Sequence, residues 1–194
     1  MQDNISCLFL FLFITKFFNS MKKLIFSVFV LLTFLYAKCE DDTPKNPIDL
    51  LPPATQIGAN TFGCLVDGEP FTPDGRPLSF SSQYSFNSVG DRFSLSGGRR
   101  YEDRFLSIGM VITTPRIEKN VVYVLSNATD TSSFGEYYKY AEYQVEGFTS
   151  QEHKGEMTIT RFEDNVISGT FWFDVKDTDG VVHQIREGRF DVKY

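Results

Sequence analysis

Apolar positions along the 194-residue chain follow two different patterns. Residues 1–38 hold unbroken apolar runs, among them Leu24 to Ala37, 14 residues without a charge. From Thr61 on, apolar and polar residues alternate in short stretches separated by Gly, Asp, Asn and Pro. Alternation with period two places one side of a strand in a core and the other in water. "TFGCLV" and "EPF" meet across Asp67-Gly68, a strong two-residue hairpin signal. "QYSFNS" and "RFSLS" flank Val89-Gly90-Asp91, and "RFLSIGMVIT" stops at Pro115. "NVVYVLS", "EYYKYAEYQV" and "EMTITRF" follow, and "NVISGTFWFDV" and "VVHQIREGRFDVKY" close the chain around Asp177 to Gly180. About ten strand candidates at a spacing of roughly 8–12 residues, with no capped segment of helical period, predict an all-β fold. The expected architecture is an antiparallel β-sandwich or open barrel of about 8–10 strands.

Register assigns faces within these strands. In the last run Val181, His183 and Ile185 share one parity, whereas Phe190, Val192 and Tyr194 share the other. A switch near Gly188 predicts a β-bulge there, bending a long C-terminal strand so that it can cross between two sheets. In the preceding run Ile167, Phe171, Phe173 and Val175 share a face, so Trp172 points away with Thr170 and Asp174. In "EYYKYAEYQV", Tyr138 and Tyr140 lie on one face and Tyr137 and Tyr143 on the other. Outward rings stack on sugars or anchor protein contacts, which makes Tyr138, Tyr140 and Trp172 the candidate binding residues for a glycan or protein ligand.

The first pattern reads as targeting. Met21-Lys22-Lys23 is a positive n-region, and the 14-residue run after it is too short to span a bilayer but suits a signal peptide. Residues 1–38 are therefore a signal segment. Residues 1–20 read as sequence upstream of a true start at Met21; the alternative is a two-helix membrane hairpin. Pro44, Pro47, Pro52 and Pro53 mark residues 39–57 as an acidic, semi-rigid tether, which leaves 58–194 as a single β domain. Cys39 closes the apolar run and is followed by Glu40, Asp41 and Asp42. This stretch resembles the signal of bacterial lipoproteins, and in particular of Bacteroidota lipoproteins, where such acids direct export to the outer surface. The resemblance implies lipidation at Cys39, two or more acyl chains in the membrane, and an outer-membrane or cell-surface location. Lys38 stands where that signal has a small residue, and Tyr36 where it has an aliphatic one.

Charge and side-chain chemistry narrow the function. The chain carries a net charge of −6. Residues 1–38 hold four basic groups and one acid, so 15 basic and 24 acidic residues remain after them, a net −9. That field repels phosphate backbones and argues against nucleic acid as a partner. Of the three cysteines, Cys64 alone falls in the domain, so neither an internal disulfide nor a multi-cysteine metal site is expected. Cys64 reads as a small buried hydrophobe. His153, in a polar turn, and His183, on a strand, read as surface or edge positions rather than zinc ligands. In "DVKDTDGVVH" Asp177, Asp179 and Gly180 fit part of a calcium loop, but Val175 and Arg186 occupy two ligand positions, so an acidic hairpin turn is expected. The motifs of serine hydrolases, zinc proteases and nucleotide binders do not occur. No cofactor and no metal are expected.

Two longer motifs, "GANTFGCLVDGEPFTP" and "ISGTFWFDV…REGRFDVKY", resemble a family of uncharacterised Bacteroidota secreted lipoproteins. They bracket residues 58–194. The resemblance implies a secreted, lipid-anchored, β-rich protein and assigns no chemistry to any residue. The leading expectation is a non-catalytic surface binding module for glycan or protein. The alternatives are a structural envelope lipoprotein and a hydrolase using carboxylates such as Glu136, Glu142 or Asp174.

Overall fold

A computed structural model describes residues 46–88 and 90–194. The signal segment, Cys39 and the first part of the tether lie outside the described residues. Among the described residues no helix is long and apolar enough to cross a membrane.

The domain is all-β and antiparallel, as the alternation predicts. Eleven strands follow a short 3-10 turn at Pro47–Leu50. They are β1 (Thr61–Val66), β2 (Glu69–Phe71), β3 (Phe80–Asn87), β4 (Gly90–Arg100), β5 (Phe105–Thr114), β6 (Val122–Leu125), β7 (Phe134–Tyr140), β8 (Gln144–Phe148), β9 (Gly155–Glu163), β10 (Val166–Asp177) and β11 (Val182–Lys193). The excess over the expected count comes mainly from "EYYKYAEYQV". It forms two strands, because the chain turns through Ala141 to Tyr143, where the Ala141 amide donates to the Tyr143 carbonyl. No Gly or Pro marks that turn. Tyr143 therefore sits exposed in a turn instead of sharing a strand face with Tyr137.

One sheet runs in the order β2-β1-β11-β10-β8-β7-β5-β4-β3 and curls into a half-barrel. It forks at β10. Val166 to Phe173 pair with β9, which pairs in turn with β6, and Lys176 to Asp177 pair with β8. Curling brings β4 over β11, so that Phe93 and Phe190 lie 5.7 Å apart although their strands are not neighbours. Phe62 stacks on Phe171 at 5.5 Å. The inward positions Phe93, Leu95, Ile108, Met110, Ile112, Phe173, Val175 and Ile185 are almost fully buried. Their burial is the main stabilising term, at about 1.5–3 kcal/mol for each large side chain.

The turns follow from residue type. Asp67 and Gly68 both have positive φ, which gives β1–β2 the primed turn that an Asp-Gly pair favours. Asp164 and Asn165 do the same between β9 and β10.

Residues 46–59 lie against the sheet. Leu51 is buried, and a Cβ at Gly63 would fall 2.6 Å from Pro52. Thr55 Oγ1 and the amides of Ile57, Gly58 and Ala59 all donate to the carboxylate of Asp191 on β11, as does Ser168 Oγ. Burial by itself raises that carboxyl, but these donors outweigh it and hold it far below the ordinary range. Residues 46–57 of the expected tether are therefore packed on the sheet by Leu51, Pro52 and the donors to Asp191.

Candidate ligand-binding site

The bulge in β11 builds one wall of a cleft around Trp172. Phe171 pairs with Gly188 and Phe173 with Ile185, so Arg186 and Glu187 together oppose Trp172. Glu187 takes a positive φ of 53°. On the other side the same extra residue shifts the register of β1 between Gly63 and Leu65. Gly188 is required beside the bulge, because a Cβ there would lie 2.5 Å from the Phe171 ring; β11 does not cross between two sheets, since the described strands form one sheet. A regular strand would alternate its side chains between faces. The inserted residue instead lets Arg186, Glu187 and Arg189 all flank Trp172.

The register across the neighbouring strands completes the surface. Val124, Glu156 and Trp172 form one row across β6, β9 and β10, and Val122, Thr158, Thr170 and Arg189 form the next, running on into β11. The cleft lies over the β9 to β11 part of these rows, has a volume of about 540 Å³ and is also lined by Ala54 of the pinned segment. Trp172 is 39% exposed, although Phe171 and Phe173 beside it are buried. Its Nε1 donates to Glu156 at 3.4 Å, and the Arg186 guanidinium lies 5.4 Å from its ring centre. Arg186 Nη2 pairs with Asp174 at 2.6 Å, and its Nη1 donates to the carbonyls of Phe173 and Ile185. Arg189 Nη2 lies 3.6 Å from Glu187. The indole is thus held in one orientation with much of its surface in water.

Tyr138 and Tyr140 do point outward from β7, but neither lines this cleft. Tyr138 is half-buried, with its ring edge-on to Phe105 at 6.2 Å. Tyr140 is 53% exposed at the strand end, in a smaller cleft of about 280 Å³ with Tyr101, Arg104 and Phe105. Trp172 therefore lies apart from Tyr138 and Tyr140, which both border Phe105. Arg186, Glu187 and Arg189 are cleft residues that the alternation pattern does not single out. The parity switch near Gly188 is the signal that points to them.

The carboxylates of the hydrolase alternative are also apart. Asp174 is occupied by Arg186, and Glu142 is exposed in the β7–β8 turn. Glu136 is raised above the ordinary range by burial and then by Glu146 on the neighbouring strand. Neither Glu136 nor Glu142 lines the Trp172 cleft.

His183 is not a plain surface position. Its Nδ1 lies 2.8 Å from Asp67 and its Nε2 3.0 Å from Asp177, and its ring stacks on Tyr137 at 4.0 Å. A neutral imidazole has one N–H, so both contacts are hydrogen bonds only with a proton on each nitrogen. The ring joins the β1–β2 and β10–β11 turns and has no free nitrogen for a metal. Burial raises the Asp177 carboxyl, but His183 and the amides of Val181 and Asp179 outweigh it and hold it below the ordinary range. The Asp177 to Gly180 stretch is an acidic hairpin turn capped by its own first residue. Cys64 is buried and free, and burial pushes its thiol far up, away from nucleophile chemistry. Among the described residues no group of three or more His, Cys, Asp or Glu side chains is arranged to hold a metal ion.

No curated protein and no solved structure matches the chain. One family does, over residues 80–192, which run from the start of β3 almost to the end of β11 and leave the front motif outside. With more than half of its length matched, the chain belongs to the family described as Domain of unknown function (DUF6252).

Proposed function

We propose that this protein is a non-catalytic binding module, anchored by lipid at Cys39 to the outer membrane or cell surface, with the Trp172 cleft as its ligand site. The observation that carries the reading is the cleft itself. The single tryptophan of the chain is left exposed on a strand whose other large aromatics are buried, in a concavity with convergent polar side chains. Pockets that combine an aromatic floor with a few placed polar groups are where ligands bind. The anchor rests on the apolar run ending at Cys39, on the acids after it, and on the resemblance of both to Bacteroidota lipoprotein signals.

The test uses the full chain in a sugar-free detergent, passed over immobilised glycans and over envelope proteins. Wild-type protein is expected to be retained on one of them, and Trp172→Ala to pass through with an unchanged far-UV spectrum. Equal retention of both would overturn the site. For the anchor, Cys39→Ser is expected to leave the membrane fraction, and unchanged attachment would overturn it.

A further inference from the structure

Resting on the Trp172 cleft as a binding site, we infer that its occupant is an uncharged glycan, and not an acidic sugar or a protein segment. The inference starts from how the charges are used. Arg186 is balanced by Asp174 at 2.6 Å, and two of its N–H groups are taken by main-chain carbonyls. Arg189 is balanced by Glu187 at 3.6 Å, and its Nε donates to the Glu187 carbonyl. Among the described residues Glu156 has no cationic partner within ion-pair distance, so with Asp174 counted behind Arg186 three carboxylates (Glu156, Glu187 and Asp174) stand against the two guanidinium groups of the cleft. An anionic sugar would meet Glu156 with both guanidinium groups already neutralised, inside the negative field of an acidic protein.

An uncharged polyol suits the same groups. Its hydroxyls need donors and acceptors side by side. The cleft offers carboxylate acceptors at Glu156 and Glu187, remaining N–H donors on the two arginines, and hydroxyls of both kinds at Thr158 and Thr170. The electron-rich indole face attracts the weakly positive C–H bonds of a sugar ring. Glu156 and Arg186 hold the indole in place before any ligand arrives, which lowers the entropy cost of binding. Small Thr158 and Thr170 between the rims leave the floor low, where a larger side chain would fill it. A protein segment would favour a drier centre than one with four charged side chains around a single ring.

Because Trp172 is the only tryptophan, its emission reports on the cleft without a label. The full chain in sugar-free detergent is titrated with neutral gluco-, manno- and galacto-oligosaccharides, and in parallel with oligogalacturonate and a sialylated oligosaccharide. A saturable shift with at least one neutral series, little changed between low and high salt, is the expected result, since no ion pair forms. Trp172→Ala should weaken retention on that glycan roughly tenfold or more, and Trp172→Tyr should restore part of it. Asp174→Asn should add measurable affinity for the uronate, because it releases Arg186 from its partner. Tighter binding of an acidic oligosaccharide by wild-type protein would overturn the inference while leaving the cleft as the binding site. The inference also falls, and the cleft again stands, if no glycan moves the emission but an envelope protein is retained through Trp172. If Trp172→Ala alters no retention of any kind, the site reading and the inference both fall.

Discussion

β7 and β10 each carry outward aromatic residues above buried inward ones, yet Trp172 of β10 lines a cleft of about 540 Å³, whereas Tyr140 of β7 lines one of about 280 Å³ and Tyr138 lines neither. On β7 the outward Tyr138 has regular neighbours, Ser107 on β5 and Glu146 on β8. Its ring is partly used up against Phe105. On β10 the outward Trp172 faces a strand with one extra residue, so three charged side chains gather within four positions of β11. A pinned segment adds a wall at Ala54, because Thr55 next to it is gripped by Asp191. An outward ring is therefore not a site by itself. A bulge that re-aims its neighbours, together with a covering segment, sets the ring in the larger concavity.

The sharpest way to break this comparison is within β10. Phe173→Ala removes a ring with no exposed surface and is expected to cost about 3–5 kcal/mol. Trp172→Ala, one residue away, is expected to cost within about 1 kcal/mol. Urea titration followed by far-UV circular dichroism measures both. Similar losses would mean that Trp172 belongs to the core and that the contrast with β7 is false.

Next in size is the covering segment. Asp191→Asn keeps one acceptor oxygen and turns an amide toward donors that need acceptors, so a loss on the order of 3 kcal/mol is expected. The segment around Ala54 should then become accessible to limited proteolysis. The pH dependence has a definite sign. Asp191 and Asp177 are both held below the ordinary carboxylate value in the fold. Their contribution is complete above the unfolded value near about pH 4 and drains away as pH falls through the folded values. Wild-type protein should lose stability steeply in that acid range, and Asp191→Asn should flatten the slope. A wild-type stability that is level between about pH 4 and pH 2 would contradict the assignment.

The bulge itself comes third. Gly188→Val would press a side chain into the Phe171 ring and should cost about 1–3 kcal/mol while disturbing the cleft. Glu187→Gly relieves a positive φ and should range from neutral to about 1 kcal/mol stabilising. Thermal melts of the two variants moving in the same direction would argue against an inserted residue at this point.

The smallest effects are expected on β7. Tyr140→Ala should change stability by about 0.5 kcal/mol or less, and Tyr138→Ala by about 0.5–1.5 kcal/mol through its Phe105 contact. Neither should alter the Trp172 emission or the retention of a ligand at the cleft. A loss of retention in the Tyr140 variant would mean that the ring at the far end of β7 reaches the same ligand, and the contrast between the two strands would no longer hold.

What the sequence determined by itself is local. Period-two alternation set the strands and their inward faces, because successive side chains of an extended chain must point to opposite sides. Asp67-Gly68 set a primed turn, since those residues tolerate positive φ. The parity switch between Ile185 and Phe190 located the bulge within a residue, and the face assigned to Trp172 followed from the same counting. The turn at Ala141 to Tyr143 stayed hidden, because none of its residues is a turn former and only the pairing of β7 with β8 creates it. Tertiary structure alone decided the rest. The proline-rich segment docks because Asp191, 136 residues after Thr55, gathers its donors. His183 is clasped because two distant turns meet at its ring. Trp172 and Tyr140 part company because the sheet forks at β10 and curls, and such long-range pairings depend on which strands become neighbours, a matter no single stretch of sequence records.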